Sequence, residues 1–344
     1  MKAIVNTGPG RLEMLERLLP QPDPGQVRIR TAACAICATD LAMIAGWART
    51  PFGAIPGHEW SGTVDAAGLG ADAALVGRRC VADNVWDDGG EVGFEHHGGY
   101  AQYFVTQAAN VRVLPDDYPP QRAVLIEPLA VAVRGLRRLR APVPGPVLIL
   151  GDGPIGLLTL LLLARDGRSD IVVAGGREPR LALARRFGAA RCVNYHAAIE
   201  SDDFSRMLRD AGARVVAASV DEVTRVTDPG ALRTYRAIVE ATGSGEALAV
   251  TFDVAAPGGR VLVIGDHGQG RAAFAWSQLQ NRELELIGSN ASAGAWDEAV
   301  RLAVEERLPL DALITHRLPA ARFAEGVALV RDRGSGALKV VLEW

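Results

Sequence analysis

The pattern of apolar and polar residues changes near residue 145. Before it, short alternating runs such as QVRIRTAA (26–33) and RRCVADNV (78–85) lie between loops rich in glycine and proline. Alternation with a period of two predicts half-buried strands. We therefore expect residues 1–115 to form a compact β unit with long functional loops.

From about residue 145, apolar strands alternate with helical patterns. The strand candidates are PVLILG (146–151), DIVVAGG (170–176), AIVEATG (237–243) and GRVLVIG (259–265). The apolar run LLTLLLLA (157–164) is too short to span a bilayer and is predicted to be a buried helix. Strands that alternate with helices imply a parallel sheet covered on both faces. After residue 289 this alternation stops, so the tail is expected to rejoin the first unit.

One segment does not fit this alternation. Two apolar strand candidates, RVVAASV (214–220) and AIVEATG, bracket the polar run DEVTRVTDPGALRTYR. The connection is longer than is usual inside such a sheet. We treat 219–236 as an insertion to which the sequence assigns no role.

Composition narrows the class of protein. The 344 residues favour two domains, and 49% hydrophobic with 22% charged residues is typical of a globular protein. A net charge of -3 does not indicate binding to nucleic acid or to an acidic membrane. The first residues lack the long apolar run of a signal peptide, and four cysteines are too few for a disulfide framework. These features predict a cytoplasmic enzyme.

A glycine-rich turn carries the first chemical signal. Gly151, Gly153 and Gly156 have the spacing G-x-G-x-x-G, between a predicted strand and a predicted helix that includes Pro154 and Ile155. The glycines permit a tight turn, a close approach to a pyrophosphate, and close packing of helix on strand. Backbone N–H groups at the helix start would face the phosphates. The turn predicts dinucleotide binding.

The end of the second strand indicates which dinucleotide. An NAD site usually has an acidic residue about 20 residues after the glycines, which binds the ribose hydroxyls. Here Gly175, Gly176 and Arg177 occupy that stretch, with no acid before Glu178. A guanidinium suits a 2′-phosphate, although a lone arginine can also be a solvated residue at a helix start. We therefore favour NADP over NAD.

Residues that can bind a metal lie in the first half of the chain. Cys34 and Cys37 are three positions apart in CAICATD, which by spacing alone fits half a zinc knuckle, a redox pair, or one ligand beside a buried thiol. His58 and Glu59 are adjacent in GHEW, and Glu127 begins EPLA. Taken singly, each has an ordinary structural explanation. Together they offer the donor types of a catalytic zinc.

The order of these segments resembles that of a known family. CAICATD, GHEWSGTVDAAGLGA, EPLAVAV, LGDGPIG, VEATGSGEAL and APGGRVLVIG are similar, in order and spacing, to segments of the zinc-dependent medium-chain dehydrogenases. The resemblance runs from end to end, and is closest to the sorbitol, threonine and sugar-alcohol branch. It implies an α/β protein with a GroES-like β-rich catalytic domain (1–127 and 290–344) and a Rossmann domain with a doubly wound parallel sheet (128–289). It also implies an active site in the cleft between the domains.

The resemblance also implies roles for individual residues. Cys37 and His58 match the two constant zinc ligands, while Glu59 and Glu127 match carboxylates that supply or exchange the remaining protein ligand. Which carboxylate binds at rest stays open. Thr39 matches the hydroxyl that hydrogen-bonds the zinc-bound alcohol, and Asp40 matches the carboxylate that orients the ligand histidine. Gly175, Arg177 and Tyr195 resemble positions that hold the 2′-phosphate of NADP, and Cys34 is expected to serve packing.

Three departures from the family pattern stand out. The region that carries four cysteines in many relatives has only Cys80, so we predict one catalytic zinc and no structural zinc. Ala42 stands where many relatives have the histidine that completes the proton relay. The insertion at 219–236 has no clear counterpart.

The leading hypothesis is a zinc-dependent oxidoreductase that transfers hydride between NADP(H) and a secondary alcohol or ketone. The loop residues Trp47, Arg49, Glu95, His96 and His97 suit a polyol, sugar or cyclitol, although the histidines also fit a solvated loop tip. The alternatives are a zinc-free enone or quinone reductase of the same superfamily and a non-catalytic NADPH-binding protein. By analogy we expect a dimer or tetramer of identical chains, with no nucleic-acid or membrane partner.

Overall fold

The computed structural model describes residues 1–197, 204–212 and 235–344. Most of the 219–236 insertion and the strand candidate RVVAASV lie outside these residues. Two compact units are formed, one by Met1–Ala130 with Ser292–Trp344 and the other by Val131–Ala291. Within the described residues, no helix is both long and apolar enough to cross a membrane.

The strands are numbered in chain order. They are β1 Lys2–Gly8, β2 Arg11–Glu16, β3 Gln26–Ile36, β4 Glu59–Ala67, β5 Arg79–Ala82, β6 Tyr103–Gln107, β7 Val111–Val113, β8 Val147–Leu150, β9 Ile171–Gly175, β10 Arg191–Asn194, β11 Tyr235–Glu240, β12 Ala255–Val263, β13 Glu285–Gly288, β14 Ile314–Pro319 and β15 Lys339–Glu343.

The helices are numbered in the same way. They are α1 Ala38–Ile44, α2 Pro120–Ala123, α3 Ile126–Leu139, α4 Pro154–Arg165, α5 Glu178–Arg186, α6 204–212, α7 Gly245–Val254, α8 Trp276–Asn281, α9 Trp296–Val304 and α10 Phe323–Arg331. Short 3₁₀ turns cover Ala73–Leu75, Ala108–Asn110, Tyr195–Ala197, Leu310–Leu313 and Ala320–Arg322.

The second unit has the predicted doubly wound sheet. Its strands in the described residues are all parallel, in the order β10-β9-β8-β11-β12-β13. The order runs outward in both directions from the adjacent pair β8 and β11, as in dinucleotide-binding sheets. β8 and the first four residues of β9 are completely or almost completely buried, which explains their unbroken apolar sequences. The expected α/β fold class is confirmed.

The first unit is built on a mixed sheet. The strand order is β14-β15-β3-β4-β5-β7, with β6 also paired to β3, while β1 and β2 form a separate hairpin. The central strand β3 pairs antiparallel with β4 on one side and with β15 on the other. Tail residues therefore lie beside the end of β3, at the point where the chain enters α1. This short helix was not part of the predicted β unit.

The core of the first unit lies under the loop before β4. Cys34, Tyr100 and Phe104 are among its buried members, so Cys34 packs as expected. Gly57 has a φ of +101°, and a Cβ there would lie 2.6 Å from the Tyr100 ring and 2.8 Å from the Cys34 sulfur. Only glycine fits this conformation and space without strain. The next residue, His58, is thereby held against the core.

Candidate active site

Three side chains with metal-binding atoms come together in the first unit. One ligand atom each from Cys37, His58 and Glu59 lies within 4.8 Å of the others. Cys37 follows β3, and Glu59 begins β4 directly after His58. Ala35 of β3 pairs with Glu59 of β4, so the sheet register brings the three residues together. Among the described residues this is the cluster that could hold a metal ion.

Asp40 lies behind the imidazole of His58. His58 Nδ1 is 3.4 Å from Asp40 Oδ1, and both side chains are buried. The other Asp40 oxygen accepts hydrogen bonds from the Tyr100 hydroxyl at 2.7 Å and from the Cys37 N–H at 2.9 Å. Burial opposes a charge on His58, but Asp40 and Cys37 hold its pKa well above the usual value. Asp40 is therefore placed to orient the ring, which is the role that the family resemblance implies.

Thr39 lies beside the thiol. Its Oγ1 is 3.1 Å from Cys37 Sγ, and both side chains are partly exposed. The hydroxyl is therefore accessible at the edge of the cluster. Ala42, one turn further along α1, offers no group that can carry a proton.

Sequence reasoning did not find the partner of Glu59. Lys339, the first residue of β15, donates hydrogen bonds from Nζ to both Glu59 carboxylate oxygens. Glu59 is 1% exposed and Lys339 3% exposed. Burial opposes the lysine charge, but Glu59, and then Cys37, keep its pKa above the usual value. The available signal was the lysine at the start of a mainly apolar strand, in the run ALKVVLEW.

Glu127 lies in the first turn of α3 and outside the three-residue cluster. Burial raises its pKa to about 8, an effect that His58 opposes and Glu59 reinforces. The carboxyl therefore responds to the same charges as the cluster. The structure brings Cys37, His58 and Glu59 within binding distance of each other, and leaves Glu127 as a neighbouring acid.

The residues present fit a zinc ion. A thiolate, an imidazole and a carboxylate are donors of catalytic zinc sites, where one position is open for substrate. A carboxylate behind the ligand histidine, here Asp40, is a common feature of such sites. The close approach of Cys37, His58 and Glu59 supplies this donor set.

A group of aromatic and charged side chains lies next to His58. The Phe94 ring is 4.9 Å from the His58 ring and 6.1 Å from Trp47. The Arg49 guanidinium lies 4.6 Å from the Phe94 ring centroid and pairs with Glu95 at 2.8 Å and with Glu91 at 3.1 Å. The predicted loop residues Trp47, Arg49 and Glu95 are thus brought together.

The two loop histidines have other contacts. His96 stacks on Trp86 with ring centroids 3.8 Å apart and lies 3.1 Å from Asp88. His97 accepts a hydrogen bond at Nδ1 from the Ile55 N–H at 3.3 Å. His96 is thus held within its own loop, whereas His97 contacts the backbone of the segment before β4.

Cys80, which precedes this loop, is completely buried, and burial raises the pKa of its thiol to about 12.

The glycine-rich turn of the second unit fits a dinucleotide. Gly151 has a φ of +121°, and a Cβ on Gly156 would lie 2.1 Å from the Gly151 carbonyl oxygen. A Cβ on Gly153 would meet no atom within 4 Å, so the backbone there is open to a ligand. Pro154 and Ile155 lie in the first turn of α4; Pro154 has no N–H, so the backbone N–H groups available to phosphates there begin with that of Ile155.

The end of β9 brings together the predicted nucleotide-selecting residues. A Cβ on Gly176 would lie 2.2 Å from the Tyr195 hydroxyl oxygen, so the Tyr195 side chain packs directly against this glycine. Arg177 precedes α5, and Arg180 lies in its first turn. Asp152, from the glycine-rich turn, also reaches this place and lies 3.4 Å from the Arg177 guanidinium. Asp152 and Arg180 were missed, although an acid between two motif glycines was visible in the sequence.

Comparisons with known proteins agree with both units. Residues 23–116 match the model for the alcohol dehydrogenase GroES-like domain, and residues 154–305 match the model for zinc-binding dehydrogenases. The chain is 30% identical to L-threonine 3-dehydrogenase of Anaeromyxobacter sp. (strain Fw109-5), over 100% of this chain and 99% of the relative.

Two further comparisons concern one Escherichia coli enzyme. The chain is 26% identical to galactitol 1-phosphate 5-dehydrogenase of strain K12, over 99% of each chain. The crystal structure of galactitol-1-phosphate dehydrogenase from Escherichia coli aligns with a TM-score of 0.83 at 25% identity, over 100% of both chains.

Proposed function

The chain belongs to the zinc-dependent medium-chain dehydrogenase family, in its threonine and sugar-alcohol branch, and on this premise we propose that it interconverts a secondary alcohol and a ketone with NADP(H). The relatives are alcohol and polyol dehydrogenases, so the chain is an oxidoreductase of this type. The observation that carries the proposal is the close approach of Cys37, His58 and Glu59, with the Thr39 hydroxyl beside the thiol.

Each residue of the site has a part in the proposed reaction. Cys37, His58 and Glu59 would hold zinc, with Glu127 as the nearby carboxylate that can exchange with Glu59. When bound, zinc supplies a Lewis acid to the substrate oxygen, and the nicotinamide supplies the hydride acceptor. Thr39 accepts the substrate proton at Oγ1. Since Ala42 cannot pass this proton on, the proton leaves Thr39 through water, the ribose of the nucleotide or another side chain.

Two buried side chains prepare this site. Asp40 fixes the orientation of the His58 ring, which keeps the other ring nitrogen directed at the metal position. Lys339 balances the charge of Glu59, whose carboxylate would otherwise be buried without a counterion. The orientation of His58 reduces the reorganisation that metal binding requires. The pair with Lys339 stabilises Glu59 in the metal-free protein and has to open when Glu59 binds the metal.

The preference for NADP(H) rests on cations at the end of β9. Arg177 and Arg180 offer two guanidinium groups, and Tyr195 offers a hydroxyl beside Gly176. Guanidinium groups bind phosphate with paired hydrogen bonds. The strand end itself contributes no acidic residue.

A polyol, sugar or cyclitol is the proposed substrate class. Arg49 pairs with the carboxylates of Glu91 and Glu95, and the Phe94 ring beneath its guanidinium lies next to the His58 ring. Carboxylates and a guanidinium can bind several hydroxyl groups, whereas a plain alkyl alcohol would use none of them. Relatives that act on threonine and on galactitol 1-phosphate are also polar-substrate enzymes.

The proposed setting is cytoplasmic. All four cysteines are free of disulfides, which suits a reducing compartment. We also propose a homodimer or homotetramer that acts on small molecules.

Metal analysis tests the proposal. Carefully purified protein should contain about one zinc per chain, and less than about half a zinc would refute the zinc assignment. The Cys37→Ser variant should lose turnover with polyols and NADP but still bind NADPH. Cys192→Ser is the matched control, because this partly buried thiol lies in β10 of the second unit. It should retain zinc and turnover.

The same experiment separates the alternatives. A zinc-free reductase would reduce enones or quinones in the Cys37→Ser variant as well as in the wild type. A non-catalytic NADPH-binding protein would bind nucleotide without turnover in either. The clustered donor set argues against both.

A further inference from the structure

A carboxylate lies at the end of β9, although that strand end has no acidic residue. Asp152 Oδ2 accepts hydrogen bonds from the backbone N–H groups of Gly176 at 3.0 Å and Arg177 at 2.8 Å. The Asp152 side chain is 8% exposed. A Cβ on Gly175 would lie 2.5 Å from the Asp152 Cβ, so this glycine leaves room for the carboxylate. The carboxylate of Asp152, from the glycine-rich turn, thus occupies the place where an NAD site usually has an acidic residue near the end of this strand.

Two guanidinium groups surround the same carboxylate. Asp152 Oδ1 lies 3.4 Å from Arg177 Nη1 and 3.9 Å from Arg180 Nη1. The Arg180 side chain is 14% exposed and that of Arg177 30%. Asp152 therefore uses the backbone donors at this site and neutralises part of the positive charge that a phosphate would meet.

We propose that Asp152 reduces the discrimination between NADP and NAD, so that the protein uses both nucleotides. The inference rests on the proposed nicotinamide nucleotide site at this turn. In NAD sites an acid near this strand end accepts hydrogen bonds from the ribose hydroxyls. Asp152 supplies such an acid from the turn, and its charge opposes a 2′-phosphate. Arg177 and Arg180 act in the opposite direction and favour the phosphate.

The inference explains why the residue at position 152 is charged rather than merely polar. A neutral side chain with an oxygen acceptor could satisfy the Gly176 and Arg177 N–H groups equally well. A buried carboxylate is screened less by salt than an exposed one. It therefore acts on any second anion that binds nearby.

The test removes the charge and keeps the hydrogen-bond acceptor. Dissociation constants for NADPH and NADH are measured by fluorescence titration of the whole protein, wild type and Asp152→Asn. We expect NADPH to bind about tenfold more tightly to the variant, as for one repulsive charge removed at short range. NADH should bind equally or more weakly. Asp152→Ser, which also retains an oxygen acceptor, should change the ratio in the same direction.

Asp166→Asn is the matched control. It makes the same charge change at the C-terminal end of α4, a helix of 12 residues that starts beside the glycine-rich turn. It should leave the ratio of the two dissociation constants within about twofold of wild type, since charges a helix length apart are largely screened. Circular dichroism and thermal melting establish that each variant is folded.

The outcomes separate the inference from the proposed function. If NADPH binding to both Asp152 variants is unchanged or weaker, Asp152 only holds the turn and the inference is wrong. If the wild type binds neither nucleotide, the proposed function itself fails. Tighter NADPH binding to both variants, with the control unchanged, supports the inference.

Discussion

The buried pair of Glu59 and Lys339 allows a sharp test of the proposed metal site. Replacing Lys339 by methionine keeps an unbranched side chain of similar length but leaves the Glu59 carboxylate buried without its counterion. Both side chains are nearly inaccessible to solvent. Removal of one partner of a buried ion pair costs about 3–5 kcal/mol.

The expected loss depends on the metal. In metal-free protein, Lys339→Met should lower the free energy of unfolding by the full amount. Bound zinc supplies a positive charge to the same carboxylate, so the loss should be smaller in the zinc-loaded protein. For a unit of this size, 3–5 kcal/mol corresponds to a fall in melting temperature of roughly 6–20 °C.

The assay is urea unfolding and thermal melting, each with chelator and with zinc. The control is the double variant Glu59→Gln/Lys339→Met, which removes both charges and should recover most of the stability lost in metal-free protein. A loss below about 1 kcal/mol with chelator, the size of an exposed pair, would refute the reasoning. So would a loss of equal size with and without zinc.

Two further changes test the other parts of the site. Asp40→Asn should weaken zinc binding about 10–100-fold, because the His58 ring loses the carboxylate that orients it. Competition with a chelator measures the zinc affinity, and an unchanged affinity would contradict the orienting role. Gly156→Ala should abolish binding of both nicotinamide nucleotides, because its methyl group would lie 2.1 Å from the Gly151 carbonyl oxygen. Fluorescence titration measures this binding, and a variant that still binds either nucleotide with wild-type affinity would show that the turn tolerates a side chain.

Local sequence was sufficient for the fold class of the second unit and for four strands of its six-stranded sheet, but not for the edge strands β10 and β13. Buried parallel strands must be apolar on both faces, so 146–151, 170–176, 237–243 and 259–265 stand out from the amphipathic helices between them. The glycine spacing then locates the proposed nucleotide-binding turn between β8 and α4. The ligand candidates Cys37, His58 and Glu59 were likewise visible, since their residue types and the family pattern agree.

Contacts that depend on distant pairing were not predictable in this way. Lys339 reaches Glu59 only because β15 pairs with β3 on the side opposite β4. Asp152 reaches Gly176 only because β8 and β9 are neighbours in the sheet. Neither partner is marked by spacing along the chain. In both cases the signal was a charged residue in an apolar or glycine-rich context.

The pairing of β15 with β3 has a consequence for biosynthesis. Glu59 and Lys339 are 280 positions apart in the chain. At about 5–20 residues per second, the ribosome needs roughly 15–60 s to make the lysine after the glutamate. During this time the proposed zinc ligands exist without the lysine that pairs with Glu59, and the central strand β3 lacks one of its neighbours. The proposed metal site of the nascent chain is therefore completed late, and a ribosome that stalls before residue 339 yields a product in which Glu59 lacks Lys339 as its partner.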